Sequence, residues 1–150
     1  ASLKVFDIIG YAKTASSPDE ARPLLFLDSN HRVIINRNNL FSVARNFIEK
    51  NKEFKPPMEC KFKLTGDQVR QKMQKTLDEL YNTKKILDHG MVVGRELAYV
   101  LSGGDTEKNK EINEDQMYNL ELNSFMKLLE TKNTQKRIIH TLKTGKPLIN

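Results

Sequence analysis

A mainly α fold of about six helices, with little or no sheet, is what this sequence predicts, and three observations carry the prediction. Apolar residues recur at three- and four-residue spacing in block after block. Residues that start helices stand ahead of those blocks and glycines stand after them. The stretch that resists a helical reading is interrupted by the tandem Pro56-Pro57. At 150 residues the chain suits one domain with one core, and its 38% hydrophobic content arrives in periodic blocks, which argues against disorder.

In chain order, Val5, Ile8, Ile9 and Ala12, widened by Phe6, predict a helix from Leu3 to about Lys13 whose packing partner lies close by. Ser17-Pro18-Asp19-Glu20 has the form of a capping box: the serine hydroxyl accepts the Glu20 N–H, Pro18 presets the first turn and Glu20 reaches back. A short helix through Leu24 follows. Asp28-Ser29-Asn30 is a turn signal, and Val33-Ile34-Ile35 reads as an extended loop because no clear partner strand appears. Leu40, Val43, Ala44, Phe47 and Ile48 then give a complete helical stripe that runs into the charged Glu49-Lys50-Asn51-Lys52-Glu53.

Residues 54–65, with the two prolines, form the expected linker, which leaves 1–53 as one helical portion and 66–150 as a C-terminal helical subdomain. Val69, Met73, Leu77, Leu80 and Tyr81 make one core stripe of that subdomain. Val92, Val93, Leu97, Val100 and Leu101 make another, closed by Gly103-Gly104. After a polar connection, Asn113-Glu114-Asp115-Gln116 caps a helix whose apolar positions are Met117, Leu120, Phe125, Leu128 and Leu129. Asn133 or Thr134 caps a last helix with Ile138, Ile139 and Leu142, and Gly145 with Pro147 stops it.

The net charge of +6 is unevenly divided: residues 1–40 carry +1, 41–85 carry +5, 86–131 carry −5 and 132–150 carry +5. Opposed blocks attract one another within a fold, and the acid-free tail either meets an anion or sits in water. A basic helical module that binds nucleic acid or protein through 41–85 and 132–150 is one reading. Against nucleic acid stand the absence of Trp and of aromatics interleaved with the lysines. A single cysteine, Cys60, excludes an internal disulfide framework and reads as a buried or inert thiol in a reducing compartment. No apolar run reaches the ~18 residues of a membrane span, and Ala1-Ser2-Leu3-Lys4 does not open a secretion signal, so the expected location is the cytoplasm.

Catalytic and cofactor motifs are missing: no glycine-rich dinucleotide or phosphate loop, no nucleophile elbow, no HExxH and no CxxC. His31, His89 and His140 lack local ligand partners, so no metal site is expected. Glu111, Glu114, Asp115 and Glu121 read as solvated helix faces rather than an acid/base pair. No residue of the chain is expected to be catalytic.

Several ordered motifs nevertheless carry a likeness. Gly10 to Arg22, Asn36-Arg37 ahead of a helix, Pro56-Pro57, Leu97 to Asp105 (LAYVLSGGD), Glu121 with Phe125, Thr134-Gln135-Lys136-Arg137-Ile138, His140 and Lys143-Thr144-Gly145-Lys146-Pro147-Leu148 occur in that order. The run resembles the C-terminal part of long multifunctional fatty-acid β-oxidation proteins, 3-hydroxyacyl-CoA dehydrogenases with a C-terminal, crotonase-like enoyl-CoA hydratase/isomerase region. The resemblance implies a helical fragment that packs on or completes an acyl-CoA thioester site formed with the upstream dehydrogenase and crotonase portions, while NAD binds elsewhere in the parent. It implies Phe125 as an aromatic contact to the CoA nucleotide, with Lys143 and Lys146 as cations for its phosphates. Apart from that likeness, Phe125 at a periodic apolar position reads as core and the lysines as solvated tail. Helix faces normally covered by the parent are expected to re-pack or to form a homo-oligomer. The sequence departs from the family pattern at Leu25, where Gly is usual, at Asn150, where Arg is usual, and at Arg137, which stands where simpler crotonases have Gly.

Overall fold

Every residue except Ala1, Lys52 and Phe54 is described by the computed structural model. The first residue of the expected linker and one lysine of the charged run before it therefore lie outside the described residues. The described chain is mainly helical. It forms α1 (Ser2–Gly10), α2 (Pro18–Ala21), a 3-10 turn (Arg37–Asn39), α3 (Leu40–Lys50), β1 (Lys61–Lys63), α4 (Asp67–Asn82), α5 (Asp88–Ser102), β2 (Glu111–Asn113), α6 (Glu114–Leu129) and α7 (Lys132–Thr144).

Helix ends follow the capping chemistry with instructive differences. Ser17 Oγ accepts the Glu20 N–H at 3.2 Å, but the Glu20 carboxylate accepts from Ser16 N–H at 2.8 Å and Ser16 Oγ at 2.7 Å, one residue earlier than a reciprocal box requires. The Asn113 box is complete: its side chain accepts the Gln116 N–H at 3.0 Å and Gln116 Oε1 accepts the Asn113 N–H at 3.1 Å. Thr131, not Asn133 or Thr134, caps α7, accepting the Thr134 N–H at 3.2 Å. Val33 to Ile35 carry no strand, and Gly145 ends α7 in the left-handed conformation.

The contacts divide the chain into two units, Ala1–Ala12 with Glu59–Asn150, and Lys13–Met58. In the first unit α4 packs on α5, α5 on α6, and α1 on both α4 and α5. Phe6, Met73, Leu77, Met91 and Ala98 form its core, with Val69, Ile86, Leu97 and Leu101 packed around them. The partner expected near α1 in sequence is therefore replaced by two helices much further on. The adjacent α2 has only 4 residues and offers too little surface to cover the Phe6 and Ile8 face.

β1 and β2 form an antiparallel ribbon with Phe62 opposite Ile112. Leu64 extends it, donating its N–H to Lys110 O at 2.9 Å and accepting from Asn109 N–H at 3.0 Å. Part of the expected linker is thus a strand. Its alternation covers too few residues to register in the sequence, and its partner is distant. The second unit has α2, the 3-10 turn and α3, and among its described residues only Ala21 is buried. α3 buries no residue at all.

Candidate functional site

The residues singled out for ligand contact all lie on α6, α7 and the tail beyond. α6 turns Met117, Leu120, Ser124 and Leu128 inward, and of these Ser124 is buried. That orientation places Tyr118, Leu122, Phe125 and Met126 on the next face of the helix, at i, i+4, i+7 and i+8, and all four are exposed. Phe125 is 50% exposed, so its reading as a core residue is overturned: it belongs to a solvent-facing apolar stripe. α7 packs on α6 and adds exposed Ile138, Ile139 and Leu142.

Lys143 lies in the last turn of α7 and Lys146 just beyond the Gly145 cap, both exposed. Phe125 is in the second-to-last turn of α6, whereas Lys143 sits ~16 Å along the α7 axis from its first residue. The three residues thus lie on different elements, α6, the end of α7 and the tail beyond it. Thr144 Oγ1 accepts the Lys146 N–H at 3.1 Å and so bends the tail back toward the helix. Arg137 Nε then donates to Asn150 Oδ1 at 2.7 Å, and Asn150 Nδ2 donates to Asn133 O at 3.2 Å. Arg137 and Asn150, two of the three positions at which the sequence departs from the pattern it resembles, thus bond to each other.

A buried relay, absent from the sequence reading, anchors α7. His89, on the first turn of α5 and 3% exposed, has Nε2 at 2.8 Å from Thr134 Oγ1. Thr134 Oγ1 is 2.9 Å from Thr131 Oγ1, which is 2.7 Å from Leu128 O. Each hydroxyl has one hydrogen, and Leu128 O only accepts. All three contacts are hydrogen bonds only if His89 Nε2–H donates to Thr134, Thr134 to Thr131 and Thr131 to Leu128. Burial, and secondarily the positive charge of Arg137, hold the imidazole pKa below its ordinary value. The sequence offers Asn133 or Thr134 as a helix cap, and nothing local pairs Thr134 with His89.

The Leu97 to Asp105 motif also acquires a structural role. Ala98 and Ser102 are buried, Gly103 and Gly104 turn the chain, and Tyr99 Oη donates to Asp105 Oδ2 at 3.1 Å. The Tyr99 ring has Arg70 Cζ 5.6 Å and Lys127 Nζ 5.1 Å from its centroid, and Arg70 donates to Gly104 O at 3.2 Å. These cations fasten the turn to α4 and α6. Glu111, Glu114, Asp115 and Glu121 are all exposed, as expected of solvated faces. Cys60 is exposed, so of its expected readings as a buried or an inert thiol the buried one is overturned. Among the described residues no cluster of three or more His, Cys, Asp or Glu side chains is placed to hold a metal, and no helix is long and apolar enough to cross a membrane.

No protein-family model matches the chain, and no solved structure does. It is similar to a "Probable 3-hydroxyacyl-CoA dehydrogenase" of Bacillus subtilis (strain 168), 27% identical over 152 residues that take in 100% of this chain and 19% of that protein. The chain spans about a fifth of the length of that relative.

Proposed function

We propose that this chain is the C-terminal helical portion of a fatty-acid β-oxidation enzyme of the 3-hydroxyacyl-CoA dehydrogenase type, following a crotonase-like enoyl-CoA hydratase/isomerase region in the cytoplasm. It packs on or completes the acyl-CoA site and contributes no catalytic residue. The end-to-end likeness to a fifth of a dehydrogenase carries the reading. The exposed α6–α7 stripe, followed by an acid-free tail of charge +5, supplies a surface of suitable chemistry. Apolar surface of this kind in a folded chain marks an interaction site. Phe125 stacks on the nucleotide end of CoA, and Lys143 and Lys146 meet its phosphates as mobile point charges. NAD belongs to the upstream portion, because this chain has no glycine-rich turn at a helix start to hold a pyrophosphate.

Titration calorimetry of the chain with crotonyl-CoA tests the contact. A weak binding heat is expected, reduced severalfold in Lys143→Glu/Lys146→Glu. Absence of heat at about millimolar ligand removes the CoA contact. Hydration of crotonyl-CoA by the pure chain contradicts the assignment of catalysis to the upstream region.

A further inference from the structure

α3 is strongly amphipathic, yet most of its apolar stripe is open to solvent, with Val43 half-buried and Arg32 over the Phe47 ring. Phe41 is 79% exposed and Ile48 is 69% exposed, and Leu40 and Phe47 are also exposed. The stripe has an internal symmetry. Ala44 is its centre, with Phe41 and Phe47 three residues to either side and Leu40 and Ile48 four to either side. The positions one residue away differ, half-buried Val43 against exposed Arg45, while those two away are both polar, Ser42 and Asn46. Reversing the helix direction therefore returns nearly the same surface: aromatic, then aliphatic, on each side of a small residue.

We propose that α3 is a self-association face, on which a second copy of this chain lays its own α3 antiparallel about a two-fold axis at Ala44. A two-fold interface needs a patch that is complementary to itself, and a stripe that reads alike in both directions meets that need. At the crossing Ala44 faces Ala44 of the other copy, so the backbones approach closely. Phe41 then packs beside Phe47 of the second helix and Leu40 beside Ile48.

The local surface suits this arrangement. A shallow apolar depression lies over Ala44, bounded by Phe41, Ile48, Arg45 and Glu49, and an incoming aromatic ring fits it. Arg45 Nε pairs with Glu49 Oε1 at 2.8 Å, so the rim is neutralised within each helix and two identical faces meet without net repulsion there. Arg32 lies over the Phe47 ring, 5.7 Å from its centroid, and orients it. This paired rim and the near-symmetric stripe favour a second copy over an anionic bilayer, which would draw on a helix with unpaired cations along its polar side.

One helix of 11 residues gives a small interface, so reversible dimerisation in the micromolar to millimolar range is expected. Sedimentation equilibrium of the full chain from about 10 µM to about 1 mM is the first test. A monomer–dimer equilibrium is expected, with Ala44→Glu raising the dissociation constant at least tenfold while far-UV circular dichroism stays unchanged. Cysteine cross-linking then reads the register in a Cys60→Ser background. Ala44→Cys copies should oxidise to a disulfide dimer. Leu40→Cys and Ile48→Cys should link to each other when mixed and not to themselves. A monomer throughout the range overturns the proposal, as does a dimer indifferent to Ala44→Glu. Leu40→Cys linking to itself, the signature of parallel helices, overturns it too. So does a monomer that sediments with mixed phosphatidylcholine–phosphatidylglycerol vesicles unless Ala44 is replaced, which assigns the stripe to a bilayer.

Discussion

Replacing Gly103 by alanine should be among the most damaging single-methyl changes the chain can suffer. Gly103 ends α5 at φ +94°, a conformation that costs an L-residue about 1–2 kcal/mol. An added Cβ would also stand 2.6 Å from both Leu64 methyl carbons and 2.8 Å from its Cγ. Leu64 cannot easily withdraw, being 3% exposed and hydrogen-bonded through both its N–H and its carbonyl. Overpacking of that kind adds about 1–3 kcal/mol, so the total loss is roughly 2–5 kcal/mol. That is a large part of the stability of a typical domain. Gly145 supplies the control, because it has φ +68° with nothing within 4 Å of an added Cβ. Gly145→Ala should lose only about 1–2 kcal/mol, from the backbone alone. With no Trp in the chain, urea unfolding is best followed by far-UV circular dichroism. A Leu64→Ala/Gly103→Ala pair should be less than additive, by about 1–3 kcal/mol. Equal losses at Gly103 and Gly145, together with strict additivity of that pair, would refute the steric argument.

Lowering the pH should weaken the docking of α7. The His89 pKa in the folded chain lies below its ordinary 6.5, so the folded state binds the proton less readily than the unfolded chain. The stabilisation is complete above about 6.5 and is lost as the pH falls toward the folded value. Urea midpoints over a pH series should show that slope, and His89→Gln should flatten it; an unchanged slope counts against the relay. Phe125→Ala should cost about 1 kcal/mol or less, since half of the ring is already in water, while still weakening the binding of crotonyl-CoA. A loss of several kcal/mol in thermal unfolding would return Phe125 to the core. Leu25, held at φ 65° in the left-handed region, should tolerate Leu25→Gly. Release of strain and the added freedom of the unfolded chain nearly cancel, leaving a change between zero and about +1 kcal/mol of stability. Clear destabilisation would mean that the Leu25 side chain makes a contact worth more than its strain.

Periodicity was a sound guide to where helices form and a poor one to what covers them. The α3 stripe is legible residue by residue, yet its exposure is not, because spacing fixes the angle between side chains and says nothing of what lies opposite. The same limit applies to α6. Phe125 sits at a helical interval from its apolar neighbours, but the buried line runs through Ser124, whose polarity conceals it. Local chemistry was more readable: the Asn113 box and the Gly103 and Gly145 ends are settled within a few residues. Long-range polar pairing was not. His89 and Thr134 are 45 residues apart, and neither has a sequence neighbour that announces the bond. The basic, acid-free character of the tail is legible in the sequence, but its fold-back depends on Arg137 and Asn150, whose pairing across 13 residues is not.

α1 belongs to the core of the first unit although the whole of Lys13–Met58 separates it from the rest of that core. Topologically, residues 13–58 are an insertion between two parts of one packed body. Closing such an excursion costs entropy that grows only with the logarithm of its length, about 0.6 kcal/mol for each doubling. Closure of the core therefore constrains the length of this segment only weakly. An evolving chain can alter what this excursion binds while the core that carries it stays the same.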